Sequence, residues 1–139
     1  MPKLARLVLA TIVAMAVISA GTATAGAEKF PLLGPDGNAF CNGSGVISGT
    51  DLGFGFAVIN APADGTVMTT VSLKKLRPDT TYTVRLIQGN TDCFDFDGTI
   101  TTNRVGNGNV HISEPATSST AFVAVDTPGE MYVTETYVH

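Results

Sequence analysis

Short runs rich in Val, Ile, Thr, Phe and Tyr, cut by Gly, Asn, Asp and Pro, occupy this chain from about residue 44 to its end. Such runs match the period-two pattern of strands, and none carries an apolar stripe at helical spacing. The candidate strands are 44–48, 52–60, 66–74, 80–88, 98–103, 108–113, 120–126 and 130–138. Alternation assigns their faces. Tyr82, Val84 and Leu86 share one face, and Thr81, Thr83 and Arg85 the other. Val110 and Ile112 point inward, with Asn109, His111 and Ser113 outward. In 120–126 both faces are apolar, because Phe122 and Ala124 alternate with Ala121, Val123 and Val125. That strand is expected to be central and covered on both sides. The pattern predicts an all-β, antiparallel two-sheet sandwich, with a small β-barrel as the alternative.

The first residues obey a different rule. Lys3 and Arg6 precede an uncharged apolar run from Leu7 to Ala20, and Ala23-Thr24-Ala25 supplies small residues at the −3 and −1 positions. This is the pattern of a cleavable export signal. The apolar run is too short for the roughly 20 residues that span a bilayer. The expected organisation is therefore a signal peptide at 1–25, an irregular lead-in at 26–39 broken by Pro31, Gly34, Pro35 and Gly37, and a β domain at 40–139. No later stretch of the mature chain is apolar for long enough to span a membrane.

Charge narrows the partners. All twelve acidic residues follow residue 25, whereas Lys3 and Arg6 precede it, so cleavage lowers the formal charge from −4 to −6. Such a chain repels phosphate backbones, which disfavours nucleic acid as a partner. The two cysteines, Cys41 and Cys93, are expected to pair in an oxidising compartment. The loop they close, of about 53 residues, corresponds to about 4 kcal/mol in the chain-entropy account.

Glycines crowd the region around Asp51: Gly43, Gly45, Gly49, Gly53 and Gly55. No Lys-Ser or Lys-Thr follows them, and no helix is expected after them, so they do not form a phosphate loop. Gly53 and Gly55 alternate with Phe54 and Phe56. That pattern predicts a strand whose glycines lie under close neighbours or at bulges.

The segment Leu73-Lys74-Lys75-Leu76-Arg77-Pro78-Asp79-Thr80-Thr81-Tyr82-Thr83-Val84 resembles the corner between strands E and F of fibronectin type III and related immunoglobulin-like domains. The resemblance covers about twelve residues. It implies that Leu76 and Tyr82 lie in the core and that the Tyr82 hydroxyl bonds back to the turn. The chain has no Trp, and some 50 residues follow the motif, more than such a domain would hold. Gly98-Thr99-Ile100-Thr101-Thr102-Asn103 with Gly106-Asn107-Gly108-Asn109-Val110 resembles a hairpin of small exported bacterial β-sandwich proteins of unknown function. That likeness implies a fold and no activity.

Candidate chemistry is sparse. Asp92, Asp95 and Asp97 place three carboxylates within six residues beside Cys93 and form a weak calcium candidate. They miss the EF-hand spacing, because Cys93 and Arg104 fall where its first and last ligands would be. A solvated acidic turn is the preferred reading, and no metal or cofactor is expected. Asp95 and Asp97 on one strand face would stand roughly 7 Å apart, within range of a glycosidase pair. His111 and His139 are the only histidines, and the chain lacks G-x-S-x-G and H-x-x-x-H. No catalytic residue is assigned. Asn42-Gly43-Ser44 matches a glycosylation sequon and also reads as a turn. The leading functional expectation is a secreted, non-enzymatic binding or envelope-associated module, with an unknown extracellular protein or envelope component as partner. The alternatives are a small extracellular hydrolase using the acidic loop, and a secreted inhibitor or toxin-like factor that presents a loop such as 103–109.

Overall fold

A computed structural model describes residues 26–38, 49–89, 93 and 95–139. Nine strands occupy this part of the chain: β1 (Glu28–Leu33), β2 (Asp51–Asn60), β3 (Thr66–Leu73), β4 (Thr81–Gln88), β5 (Gly98–Thr101), β6 (Gly108–Pro115), β7 (Thr120–Thr127), β8 (Glu130–Val133) and β9 (Tyr137–Val138). Every pairing between them is antiparallel. No described residue is helical. The fold is all-β, as the alternation requires. The expected strand at 44–48 lies outside the described residues.

The strands form one sheet in the order β5-β4-β7-β8-β1-β2-β3-β6, with β9 also on β7. Its two halves share one strand pair, Leu33 of β1 with Val133 of β8, and an isolated parallel bridge, Asp36 with Met131. Both halves point their inner faces into one core. Phe30, Leu32, Ile59, Val67, Val71 and Leu73 come from one side, and Tyr82, Val84, Leu86, Val123, Val125 and Tyr137 from the other. The sheet therefore curls on itself until its edges approach. A side chain on Gly108 of β6 would strike Ile100 Cγ2 of β5 at 2.5 Å, and one on Gly98 would meet Val110 Cγ2 at 3.3 Å. The result is a nearly closed barrel rather than two separate sheets.

The central position of β7 follows from its two apolar faces. Ala121, Val123 and Val125 lie in the main core. Phe122 and Ala124 on the outer face join Ile87, Cys93 and Val133 in a second cluster, with Leu33 and Met131 packed against it. Segment 34–38 and Cys93 lie over this half. Met131 N–H donates to the Pro35 carbonyl at 2.9 Å, and Gly37 N–H to the Met131 carbonyl at 2.9 Å.

Two boundaries differ from expectation. The lead-in contains β1, so 26–39 is not irregular throughout. Phe30 and Leu32 face the core while Lys29 and Pro31 face out. Pro31 lacks an N–H, and the ladder tolerates it because the register shifts between Pro31 and Leu33 and β8 meets β1 only at Leu33. The single strand expected at 130–138 is two strands, β8 and β9, on the same side of β7. Ala124 pairs with Val133 and Ala121 with Tyr137, so four steps on one strand oppose three on the other. Thr134 fills this bulge: its N–H donates to the Val123 carbonyl, and its Oγ1 accepts from Val123 N–H, both at 3.0 Å.

The corner at 74–80 carries the chain from β3 in one half to β4 in the other. Leu76 and Tyr82 are buried. The Tyr82 hydroxyl accepts from Arg77 N–H at 3.2 Å and donates to Glu130 Oε2 at 3.1 Å. The hydroxyl thus returns to the turn as the motif implies. Thr102 braces the same corner from the neighbouring loop, donating to the Arg77 carbonyl and accepting from Thr80 N–H. Burial raises the Tyr82 pKa, with Glu130 adding to the shift; Tyr132, which also donates to Glu130, is raised by burial first and Glu130 second.

Candidate functional site

Most residues singled out in the sequence have structural duties. Asp97 is tied to β4: its Oδ2 accepts from Leu86 N–H at 2.7 Å, and its own N–H donates to the Val84 carbonyl at 3.0 Å. Asp95 is exposed, and residues 95–97 are irregular, with β5 starting at Gly98. The two carboxylates therefore do not share a strand face. Asp92 and Cys41 lie outside the described residues. Cys93 is buried over the outer face of β4 and β7. Arg85 reaches up from β4, donating Nη1 to the Cys93 carbonyl at 2.5 Å and lying 3.5 Å from Asp126 Oδ1. Among the described residues, no group of three or more His, Cys, Asp or Glu is arranged for a metal ion. No helix among them is long and apolar enough to cross a membrane. His111 is exposed on β6 with Nδ1 3.0 Å from Thr70 Oγ1. His139 stacks on Tyr137 at 5.5 Å. Among the described residues, neither histidine side chain makes a hydrogen bond to a serine or a carboxylate.

The loop 103–109 is built in rather than free. Asn103 Oδ1 accepts from Val105 N–H at 3.1 Å and Asn107 N–H at 3.0 Å. Gly106 lies against the 74–80 corner, where a Cβ would meet the Leu76 carbonyl oxygen at 2.1 Å. Asn107 Oδ1 accepts from the N–H of Lys75, which is held at φ 57°. Substitution at Asn103 or Gly106 would therefore cost stability.

Among the described residues, the glycines of β2 shape one of several surface hollows; a larger one, of about 570 Å³, lies between 35–38 and 126–131. Phe54 packs into the core with its ring 5.6 Å from Tyr132, whereas Phe56 faces outward beneath Lys29. Two residues apart on a regular strand would share a face. Gly53 and Gly55, at φ 78° and 121°, break that alternation. Gly55 also lies so close to β3 that a Cβ would sit 2.0 Å from the Ser72 carbonyl oxygen. Close packing at a strand glycine, as expected, holds at Gly55. Gly53 has open space around it.

The resulting hollow, of about 390 Å³, is lined by Lys29, Pro31, Asp51, Gly55, Phe56 and Lys74 among others. Lys29 Nζ stands 4.1 Å above the centre of the Phe56 ring, a cation–π contact that holds the ammonium at the rim. Lys74 separates this hollow from a second of about 210 Å³, lined by Ser72, Asn103, Asn107, Gly108 and Asn109. The asparagine oxygens at 103 and 107 are spent on backbone N–H groups, which turns both amide nitrogens away from them. Neither lysine makes an ion pair among the described residues. Asp51 Oδ1 accepts from Gly53 N–H at 3.1 Å, leaving its second oxygen without a partner among the described residues.

Sequence reasoning did not assemble this cleft, because Lys29, Phe56 and Lys74 belong to three strands or their ends. The glycine cluster was the available signal. Fold and cleft together define the class: a nearly closed antiparallel β domain with a basic, amide-lined groove on an acidic body. Compared with known proteins, the chain matches no family model, no curated protein and no solved structure.

Proposed function

We propose that this chain is an exported, non-enzymatic binding module that attaches to an envelope component through the outer face of β1, β2, β3 and β6. The observation that supports it is the unequal cover of the two outer faces. Over β4, β7 and β8 the chain lays its own segments and closes a second apolar cluster. Over β1, β2, β3 and β6 the described residues lay nothing comparable. Half-buried Pro31, Phe56, Val58 and Met68 there stand beside Thr70, Ser72 and His111. Apolar and hydroxyl groups mixed on a rigid sheet suit a non-obligate interface. In this reading export removes residues 1–25, and Cys41 pairs with Cys93 to fasten the cover on the other half.

The test is retention of the purified, oxidised mature protein on envelopes from its source at physiological salt. Saturable retention, abolished by Thr70→Arg with Ser72→Arg and unchanged by Thr99→Arg on β5, is the expected result. Retention that ignores the paired substitution, or none at all, refutes attachment through this face.

A further inference from the structure

The cleft bridged by Lys74 carries the argument to a ligand class, resting on the binding-module reading above. Its lining is rich in donors. Lys29 and Lys74 offer ammonium groups without ion-pair partners among the described residues. Asn103 and Asn107 spend their side-chain oxygens on the backbone, so their N–H₂ groups are what remain for a ligand. Asn109, exposed on β6, has no side-chain partner among the described residues. A donor-rich groove selects oxygen acceptors.

Three observations choose among oxygen-bearing ligands. The groove is two hollows that share Lys74, about 390 and 210 Å³, so it has room for linked units rather than one small ion. Asp51 places a carboxylate oxygen among the ammonium groups, which repels a bare anion and accepts from a hydroxyl. The acidic body, −6 after cleavage at residue 25, opposes polymers of high charge density such as nucleic acid. A polymer of sugar units, each with hydroxyls and no more than one carboxylate, satisfies all three.

The geometry points to a binding site for a carboxylated polysaccharide, its acid groups on Lys29 and Lys74 and its hydroxyls on Asp51 and the asparagine amides. Lys29 is pre-positioned by Phe56, so little side-chain entropy remains to be lost at that contact.

The experiment titrates the oxidised mature protein with polygalacturonate, with dextran as a neutral glycan and inorganic phosphate as a small anion. Expected is saturable polygalacturonate binding that weakens with salt, at least about tenfold weaker in the variant Lys29→Gln with Lys74→Gln. Asn109→Ala, on an exposed side chain, weakens it further with an unchanged melting temperature. Equal binding of dextran, competition by phosphate at equimolar carboxylate, or undiminished binding by the double variant overturns the proposal. Envelope retention without polygalacturonate binding also overturns it and leaves the binding-module reading standing. Polygalacturonate binding without envelope retention upholds this site and refutes envelope attachment.

Discussion

Gly55→Ala and Gly53→Ala form a matched pair that isolates what the β2 glycines do. Both positions have positive φ, 121° and 78°, so both substitutions force an L-residue into a region it rarely occupies. At Gly53 that is the whole effect, since a Cβ there meets nothing within 4 Å. The left-handed cost is about 1–2 kcal/mol, offset by about 0.4–1 kcal/mol from a less flexible unfolded chain. At Gly55 the Cβ also arrives 2.0 Å from the Ser72 carbonyl oxygen and 3.1 Å from the Leu73 Cα. These are backbone atoms of the paired strand, so the β2–β3 ladder must open to admit it. Backbone strain of about 1–3 kcal/mol and overpacking of a similar size sum to about 2–6 kcal/mol. Urea unfolding of the oxidised protein measures both, with m-values checking two-state behaviour. Because backbone strain is shared, Gly55→Ala is expected to lose about 1–3 kcal/mol more than Gly53→Ala, the size of the contact with β3. Equal losses would refute the argument that contact with β3 makes glycine necessary at residue 55.

The Tyr82→Phe substitution removes the acceptor of Arg77 N–H and a donor to Glu130, and should cost about 1–2 kcal/mol in the same assay. Stability should fall as pH rises past about 10, the unfolded tyrosine value. Tyr82 and Tyr132 have folded pKa values raised by burial, so the unfolded state releases its protons first and their contribution, complete below that pH, is lost above it. Tyr132→Phe should blunt that alkaline loss in a pH series of thermal melts. Asp97→Asn should cost about 1–3 kcal/mol by weakening the charge-assisted bond from Leu86 N–H, read as a lower urea midpoint.

Strand existence was legible because it depends on neighbours in sequence. Val, Ile and Thr alternation located β3, β4, β6 and β7 within a residue or two. The corner at 74–80 was legible for the same reason, since Tyr82 and the backbone it holds are five residues apart. β1 was hidden because Pro31, Gly34 and Pro35 punctuate it, and the ladder that excuses Pro31 lies across the sheet. The break between β8 and β9 was hidden because Thr134 is an ordinary strand residue, and only its engagement with Val123 makes it a bulge. A two-sheet sandwich and a nearly closed barrel differ here by one strand pairing, Leu33 with Val133, and by the approach of β5 to β6. Neither leaves a local mark. The cleft is non-local too: the glycines signalled a backbone irregularity, but not that Lys29 would lie over Phe56.

The lone strand pairing of Leu33 with Val133 divides the molecule mechanically. On each side of it the strands are fastened rung by rung, while across it, and across the opposite gap between β5 and β6, the halves are joined by scattered bonds, among them Met131 with Pro35 and Gly37, Gln88 Nε2 to the Pro115 carbonyl and the Tyr137 hydroxyl to the Gly26 carbonyl, together with packed side chains and the connections that cross between them. A few scattered bonds and sliding hydrocarbon contacts give way at smaller cost than a continuous ladder, so slow opening should run along these two lines and leave each plate intact. An occupant of the outer face of one plate would then steady that plate directly and reach the other only through the shared interior.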